Sequence, residues 1–280
     1  MSGSSAARGH VCDITGRSDG TAWRGVDDVT GSHRVLAVRA IILAAGRGSR
    51  LAPMTDDRPK PLVDVLGRSL LLRTLDRLRS VGIQDRDIVI VTGYRADMID
   101  AVMEREQLRC VRVFNPRWHD WNNFYSLLIA REAVGGEGFL QFDGDVVFDD
   151  QVLPRMLGAR DGAALAVDVR RDLDAEPMKA VVGPDGYLRE LSKAVDPARA
   201  LGEYIGVTRL DAASAACIFD DLARFEAEGL THEYYDHAYH RVAAAGQVRI
   251  GIVDISDCEA LEVDDLADLA RAEARLAHRT

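Results

Sequence analysis

The sequence predicts an α/β protein built on a doubly wound, mostly parallel sheet that carries a small antiparallel, lid-like extension. Three features point there. Continuous apolar runs end in glycines and lack the polar alternation of half-exposed strands, as strands covered on both faces do. Segments with apolar residues at helical spacing separate those runs, and strand alternating with helix gives a parallel sheet. Beyond about residue 170 the strands shorten and a tight turn joins two of them, which is the pattern of antiparallel pairing.

Taken in order, residues 35–45 read as the first buried strand, rich in Val, Ile and Ala. A helix over 70–81 follows, with Leu71, Leu72, Leu75 and Leu78 at helix spacing and Gly82 at its end. Residues 87–92 form a second buried strand closed by Gly93. Strands over 111–114, 139–142 and 163–169 alternate with helical segments near 97–106, 123–133 and 151–158. The shorter strands 179–182, 187–192 and 204–209, with the turn Gly183-Pro184-Asp185-Gly186, make the extension. Helices over 211–228, 234–245 and 264–277 flank a last strand over 248–255. Residues 1–34, rich in Gly, Ser, Asp and Arg without apolar period, read as a disordered leader, and 35–280 as one domain.

Composition narrows the function. A formal charge of −10 over 280 residues argues against general nucleic-acid binding, which needs a dense basic face. Cys12, Cys110, Cys217 and Cys258 lie far apart with no C-x-x-C pair, the usage of reduced thiols rather than of a zinc site or disulfide scaffold. No apolar run is long enough to cross a bilayer, and the N-terminus lacks the order of a signal peptide. The expected location is therefore cytoplasmic, away from membranes. Of 35 basic residues only Lys60, Lys179 and Lys193 are lysine. A lysine kept among so many arginines is a candidate for a site that needs a compact ammonium instead of a planar fork.

The segment leaving the first strand, LAAGRGSRLAPMTDDRPKPL over 43–62, carries the strongest signal. Gly46 and Gly48 let backbone amides approach a phosphate chain, Arg50 can neutralise its charge, and Lys60 stands between two prolines. Ligands on parallel sheets sit at this carboxyl edge. The string resembles the signature of the sugar-phosphate and cytidylyl nucleotidyltransferases. That resemblance implies a Rossmann-like fold, a glycine loop over the nucleotide, Arg50 on the β- and γ-phosphates and Lys60 near the α-phosphate. It implies Leu43, Ala45, Gly46, Gly48, Arg50, Gly93, Asn123, Ser126 and Asp143 as nucleotide contacts, with Arg50 and Lys60 catalytic. A P-loop is excluded because no G-K-[ST] follows, and a dinucleotide fingerprint because the third glycine is missing.

Asp143-Gly144-Asp145, at the end of a predicted strand, suits a hard cation that takes oxygen ligands. The family resemblance makes Asp145 the first Mg²⁺ carboxylate and draws the second from Glu262-Val263-Asp264, with Glu262 favoured and Asp264 as its alternate. A purely structural alternative has Asp264 capping the last helix. The segment Asn122-Asn123-Phe124-Tyr125-Ser126-Leu127 resembles the phosphocholine cytidylyltransferase-like branch and implies CTP, although either asparagine suits an N-cap.

The acceptor is read from the second half. Tyr234-Tyr235-Asp236 suits part of a choline cage, but Lys179 would repel a quaternary ammonium. Lys179, Lys193 and the Glu203 segment resemble instead cytidylyltransferases that act on phosphonates or polyol phosphates. The expectation is a Mg²⁺-dependent transfer of CMP from CTP to a small phosphonate, such as phosphonoformate or 2-hydroxyethylphosphonate, in specialised phosphonate biosynthesis. Lys179, Lys193, Glu203, Tyr235 and Asp236 are the expected acceptor contacts. The competing readings are a phosphocholine, polyol-phosphate or sugar-phosphate nucleotidyltransferase, and a non-catalytic nucleotide sensor.

Overall fold

The computed structural model describes residues 38–169, 173 and 176–277. The leader expected over 1–34 lies outside them. In chain order the elements are β1 (Arg39–Ala44), a small ribbon of β2 (Asp64–Val65) and β3 (Arg68–Ser69), α1 (Leu70–Ser80), β4 (Ile88–Thr92), α2 (Ala96–Arg105) and β5 (Val111–Phe114). α3 (Asn123–Ile129), α4 (Arg131–Val134), β6 (Phe139–Asp143), β7 (Val146–Phe148), α5 (Val152–Gly158) and β8 (Ala163–Asp168) follow. The last third holds β9 (Lys179–Val182), β10 (Leu188–Ser192), β11 (Gly202–Leu210), α6 (Ala212–Ala227), α7 (Tyr235–Ala244), β12 (Ile250–Asp254), β13 (Ala260–Glu262) and α8 (Leu266–Ala277).

The local rules hold where the pattern is strong. Ser69 caps α1 by accepting from the Leu72 amide, and Leu71, Leu72, Leu75 and Leu78 are buried against the sheet. Every residue of β4 is buried, because β1 and β5 flank it and helices cover both faces. Ala40, Ile42 and Ala44 join side chains of α1, α2 and α5 on one face. Ile41 and Leu43 join α3, α6 and α7 on the other. That division is the doubly wound, three-layer arrangement.

Among the described residues the main sheet runs β10-β9-β11-β6-β1-β4-β5, with β8 also paired to β11 and β12 paired to β8. β1, β4, β5 and β6 are parallel. β11 is antiparallel to β6, β8 and β9. The extension expected from the sequence is therefore continuous with the main sheet at β11, which runs three residues longer than the 204–209 read as a strand there. A register shift between Tyr204 and Thr208 lets one end pair with β9 and the other lie between β6 and β8. Four short strands were not expected: β2 and β3, which pair with each other, and β7 and β13. β7 and β13 form a separate antiparallel ribbon that pairs Val146 with Glu262. Among the described residues no helix is long and apolar enough to cross a membrane.

Candidate active site

The carboxyl ends of β1, β4 and β6 meet at one edge of the sheet. The loop leaving β1 turns at Gly48, where φ is +74° and an added Cβ would lie 2.6 Å from the Lys60 Cβ. Only glycine fits both the left-handed backbone and that contact. Thr55, fully buried, donates to the Gly48 carbonyl at 2.8 Å and pins the loop from below. Gly93 packs against the Ala45 carbonyl and Trp118, and the following Tyr94 amide donates to that same carbonyl at 2.9 Å.

Lys60 lies under this loop with 8% of its surface exposed. Its ammonium donates to Asp145 Oδ2 and to Asp264 Oδ1, both at 2.6 Å. Arg50 Nη2 lies 2.8 Å from Asp264 Oδ2. The β7–β13 ribbon makes this meeting possible, because the Val263 amide donates to the Asp145 carbonyl at 3.0 Å and brings the two acidic segments side by side. Burial opposes the charge on Lys60, but Asp145 and Asp264 outweigh it and raise its pKa. Burial likewise opposes ionisation of Asp264, yet Lys60 and Arg50 hold its pKa below the ordinary value.

Two more acids lack such a partner. Burial, then Asp145 and Asp236, push the Asp143 carboxyl well up. Burial, then Asp145, Asp143 and Asp264, do the same to Glu262. Asp145 Oδ1 is buried with no hydrogen-bond partner. An all-oxygen donor set with an orphaned carboxylate oxygen has the chemistry of a hard divalent cation site. Among the described residues no three acidic, histidine or cysteine side chains already surround a single point; here the Lys60 ammonium bridges Asp145 and Asp264.

The expected acceptor residues separate into two groups. Lys193 is exposed, and its charge acts on both Asp236 and Asp264, while that of Glu203 acts on Glu262. Asp236 is 5% exposed, with Oδ1 lacking any hydrogen-bond partner, and burial pushes its carboxyl up to about 7. Lys179 departs from the expectation of an anion contact. It has no exposed surface, and its ammonium donates to the Pro177 carbonyl at 3.0 Å. Tyr235 is also enclosed, 1% exposed, with its hydroxyl donating to Asp143 Oδ2 at 2.6 Å. Its ring forms part of the core and does not line an open cage.

The asparagine motif is occupied by the protein itself. Asn122 caps α3 and donates to the His232 carbonyl. The Asn123 side-chain oxygen accepts from the Tyr235 amide at 3.1 Å, and Ser126 Oγ accepts from Asn115 at 2.8 Å. Sequence reasoning missed Asn115, Gln141 and Tyr239 and took Tyr204 only as part of the Glu203 segment; all four are buried at or behind this edge. A polar residue inside a strand that otherwise reads Phe-Leu-x-Phe was the available signal for Gln141.

With this geometry in hand, the comparisons fall on one family. The model of the MobA-like NTP transferase domain matches residues 40–209. The chain is 32% identical over 255 residues to CMP-5'-(3-aminopropyl)phosphonate synthase of Streptomyces rubellomurinus, covering 85% of this chain and 38% of that protein. It is 40% identical over 106 residues to the choline-phosphate cytidylyltransferase of Streptococcus pneumoniae, over 38% of this chain and 44% of that one. The matches thus span less than half the length of these curated relatives. The solved CTP:phosphocholine cytidylyltransferase from S. pneumoniae superposes with a TM-score of 0.71 at 26% identity, covering 85% of this chain and 99% of that one. An inositol-1-phosphate CTP transferase from T. maritima shares the fold, with a TM-score of 0.72 at 23% identity over 86% of this chain and 96% of that one.

Proposed function

The chain belongs to the MobA-like NTP transferase family, and from that premise we propose that it is a cytidylyltransferase, moving CMP from CTP to a small phosphonate with release of pyrophosphate. The observation that carries the reading is the convergence of Lys60, Arg50, Asp145 and Asp264 beneath the Gly48 loop at the carboxyl edge of the sheet. A relative and a solved structure that are cytidylyltransferases by name support CTP over other triphosphates. Leu43, Ala45, Gly46, Gly48 and Gly93 form the cradle expected for the nucleotide, with Asn123, Ser126 and Asp143 behind it.

In the proposed reaction an acceptor phosphonate oxygen attacks the α-phosphorus of CTP, forming a P–O bond as the α–β bridging P–O bond breaks and pyrophosphate leaves. The attacking oxygen is already ionised near neutral pH, so alignment and charge neutralisation carry the rate, without a strong general base. Arg50 and Lys60 supply fixed positive charge on the phosphate side. Asp145 and Glu262, with Asp264 as the alternate, would hold a divalent cation, Mg²⁺ in this reading, which when bound neutralises phosphate charge.

The enclosed Lys179 gives the phosphonoformate and 2-hydroxyethylphosphonate readings less support. Asp236, with an unpartnered buried oxygen, favours a phosphonate that also bears an amine. The aminopropylphosphonate relative supports the same choice. The deciding assay is pyrophosphate release with each of the four ribonucleoside triphosphates and Mg²⁺. Acceptors are 2-aminoethyl-, 3-aminopropyl- and ethylphosphonate, phosphocholine, inositol phosphate and hexose 1-phosphates. Turnover with CTP and an aminoalkylphosphonate is expected. Turnover with a hexose 1-phosphate alone overturns the acceptor class, and nucleotide binding without turnover on any acceptor makes the chain a sensor.

A further inference from the structure

Behind Asp143 lies a buried chain of hydrogen bonds for which the transfer reaction as described above has no use. Asp143 closes β6, and both of its oxygens are engaged: Oδ1 accepts from Gln141 Nε2 at 3.1 Å and Oδ2 from the Tyr235 hydroxyl at 2.6 Å. On a third side Gly206, at φ +69°, comes so close that an added Cβ would lie 2.7 Å from Oδ2. The carboxylate therefore has no room to rotate. The Gln141 amide is fixed in turn, because its oxygen accepts from the Tyr239 hydroxyl at 2.9 Å and faces the Tyr204 hydroxyl at 3.4 Å. With the oxygen so engaged, the NH₂ end must point at Asp143.

Tyr235 is itself placed from outside the sheet. It is the first residue of α7, and its amide donates to Asn123 Oδ1. Asn122 adds two bonds to the segment just before α7: its amide donates to the Thr231 carbonyl at 2.8 Å and its side chain to that of His232 at 3.1 Å. A continuous path thus runs from the asparagine pair, through the start of α7 and the Tyr235 hydroxyl, to Asp143 and the turn that presents Asp145.

We infer that Asn123, Tyr235 and Gln141 are positioning residues whose shared task is to lock Asp143, and through the Asp143-Gly144-Asp145 turn to aim the free Asp145 oxygen at a bound cation. This rests on the proposed reading of Asp145 as a cation ligand. Buried partners bonded directly to a ligand set its orientation, and losing one costs about ten- to a hundredfold in metal affinity or activity; these three act through Asp143, the neighbour of the ligand, so the lower end of that range is expected.

The test compares two tyrosines of the same network. Tyr235→Phe removes the donor to Asp143 together with a bond to Asp236, whereas Tyr239→Phe removes the donor to Gln141 and a bond to Thr208, neither of them a carboxylate. Mn²⁺ binding, followed by the electron-paramagnetic signal of the free ion, is measured beside kcat and the KM values for CTP and acceptor. For Tyr235→Phe we expect Mn²⁺ affinity and kcat to fall by about tenfold, a larger change than in KM for acceptor. Tyr239→Phe should change each by less than about threefold, as a donor one bond further away. Gly206→Ala, which crowds Asp143 from the opposite side, should reproduce the loss of Mn²⁺ affinity even where Tyr235→Phe folds poorly. Equal effects of the two tyrosine variants, or a Tyr235→Phe defect confined to acceptor KM, overturn the relay. Asp145→Asn is the control that separates the two claims. If it leaves Mn²⁺ binding intact, the cation assignment fails; if it abolishes binding while Tyr235→Phe and Gly206→Ala do not, the relay alone fails.

Discussion

The parallel half of the sheet and the antiparallel half hold their polar side chains in opposite ways. At the ends of β1, β4 and β6 the charged groups come from one loop and a ribbon, and they face one another across the edge: Arg50 and Lys60 against Asp145 and Asp264. Around β9, β11 and α7 the polar groups turn inward. Lys179, Tyr204, Tyr235 and Tyr239 are buried, bonded to a carbonyl, a glutamine, a threonine or a carboxylate of the protein itself. The first arrangement gathers paired charge at the carboxyl edge of the sheet. The second uses most of its polarity to make the fold rigid and leaves Asp236 and Lys193 as the groups with capacity to spare.

The largest effect should follow from breaking the first region at Lys60. Its ammonium bridges Asp145 and Asp264 in a buried slot, so Lys60→Ala removes the positive charge proposed for the α-phosphate and leaves two carboxylates facing each other. Pyrophosphate release should drop by about 10²–10³-fold, the range for removing one fixed transition-state contact. Lys60→Arg should not restore it. The guanidinium is larger and planar, and the Gly48 turn already sits against the Lys60 stem. Steady-state rates that recover with arginine would show that the site wants charge and not a compact ammonium.

An intermediate effect is expected at Asp236, where the two regions meet. Asp236→Asn should raise KM for an aminoalkylphosphonate by about tenfold and leave ethylphosphonate unchanged, as expected for one charge-assisted hydrogen bond. The same variant has a signature in stability. Burial raises the carboxyl to about 7 in the fold, against about 3.9 in the unfolded chain. Between those values the folded state holds a proton that the unfolded state has lost, so stability falls as pH rises from about 4 to 7 and is level above. Asparagine cannot ionise. Asp236→Asn should therefore be more stable than the parent at pH 8, by at most roughly 4 kcal/mol, and the gap in melting temperature should close as pH falls towards 4.

How much of this was legible in the sequence follows the same divide. The strand-loop-helix at 39–80 could be read directly because its signals are contiguous: an apolar run, glycines, a proline-flanked lysine and a capped leucine helix. That Asp145 would meet residues 262–264 was reachable only through the family resemblance. The β7–β13 ribbon that joins them is three residues a side and has no periodicity of its own. The acceptor half was harder to read for a physical reason. Scarce lysines and paired tyrosines are the residue types of a ligand pocket, but the same types satisfy buried carbonyls and carboxylates, and burial of Lys179 and Tyr235 follows from the pairing of β9 and β11 and the docking of α7. Residue identity carries no record of those tertiary contacts.

The smallest effect sharpens the comparison, by setting the two lysines of the second region against each other. Lys193 is exposed, and its charge acts on Asp236 and Asp264 without a direct ion pair to either among the described residues. Exposed charge interactions are worth about 0.2–1 kcal/mol and weaken with salt. Lys193→Ala should therefore raise acceptor KM by no more than about fivefold, and the difference should shrink as NaCl is raised. Lys179→Met keeps the buried stem and removes the ammonium that bonds the Pro177 carbonyl. It should lower the melting temperature, since a buried acceptor loses its donor, while acceptor KM stays at the parent value at every salt concentration. If instead Lys179→Met raises acceptor KM and Lys193→Ala does not, the buried lysine is the anion contact after all, and β9 must move to expose it during turnover.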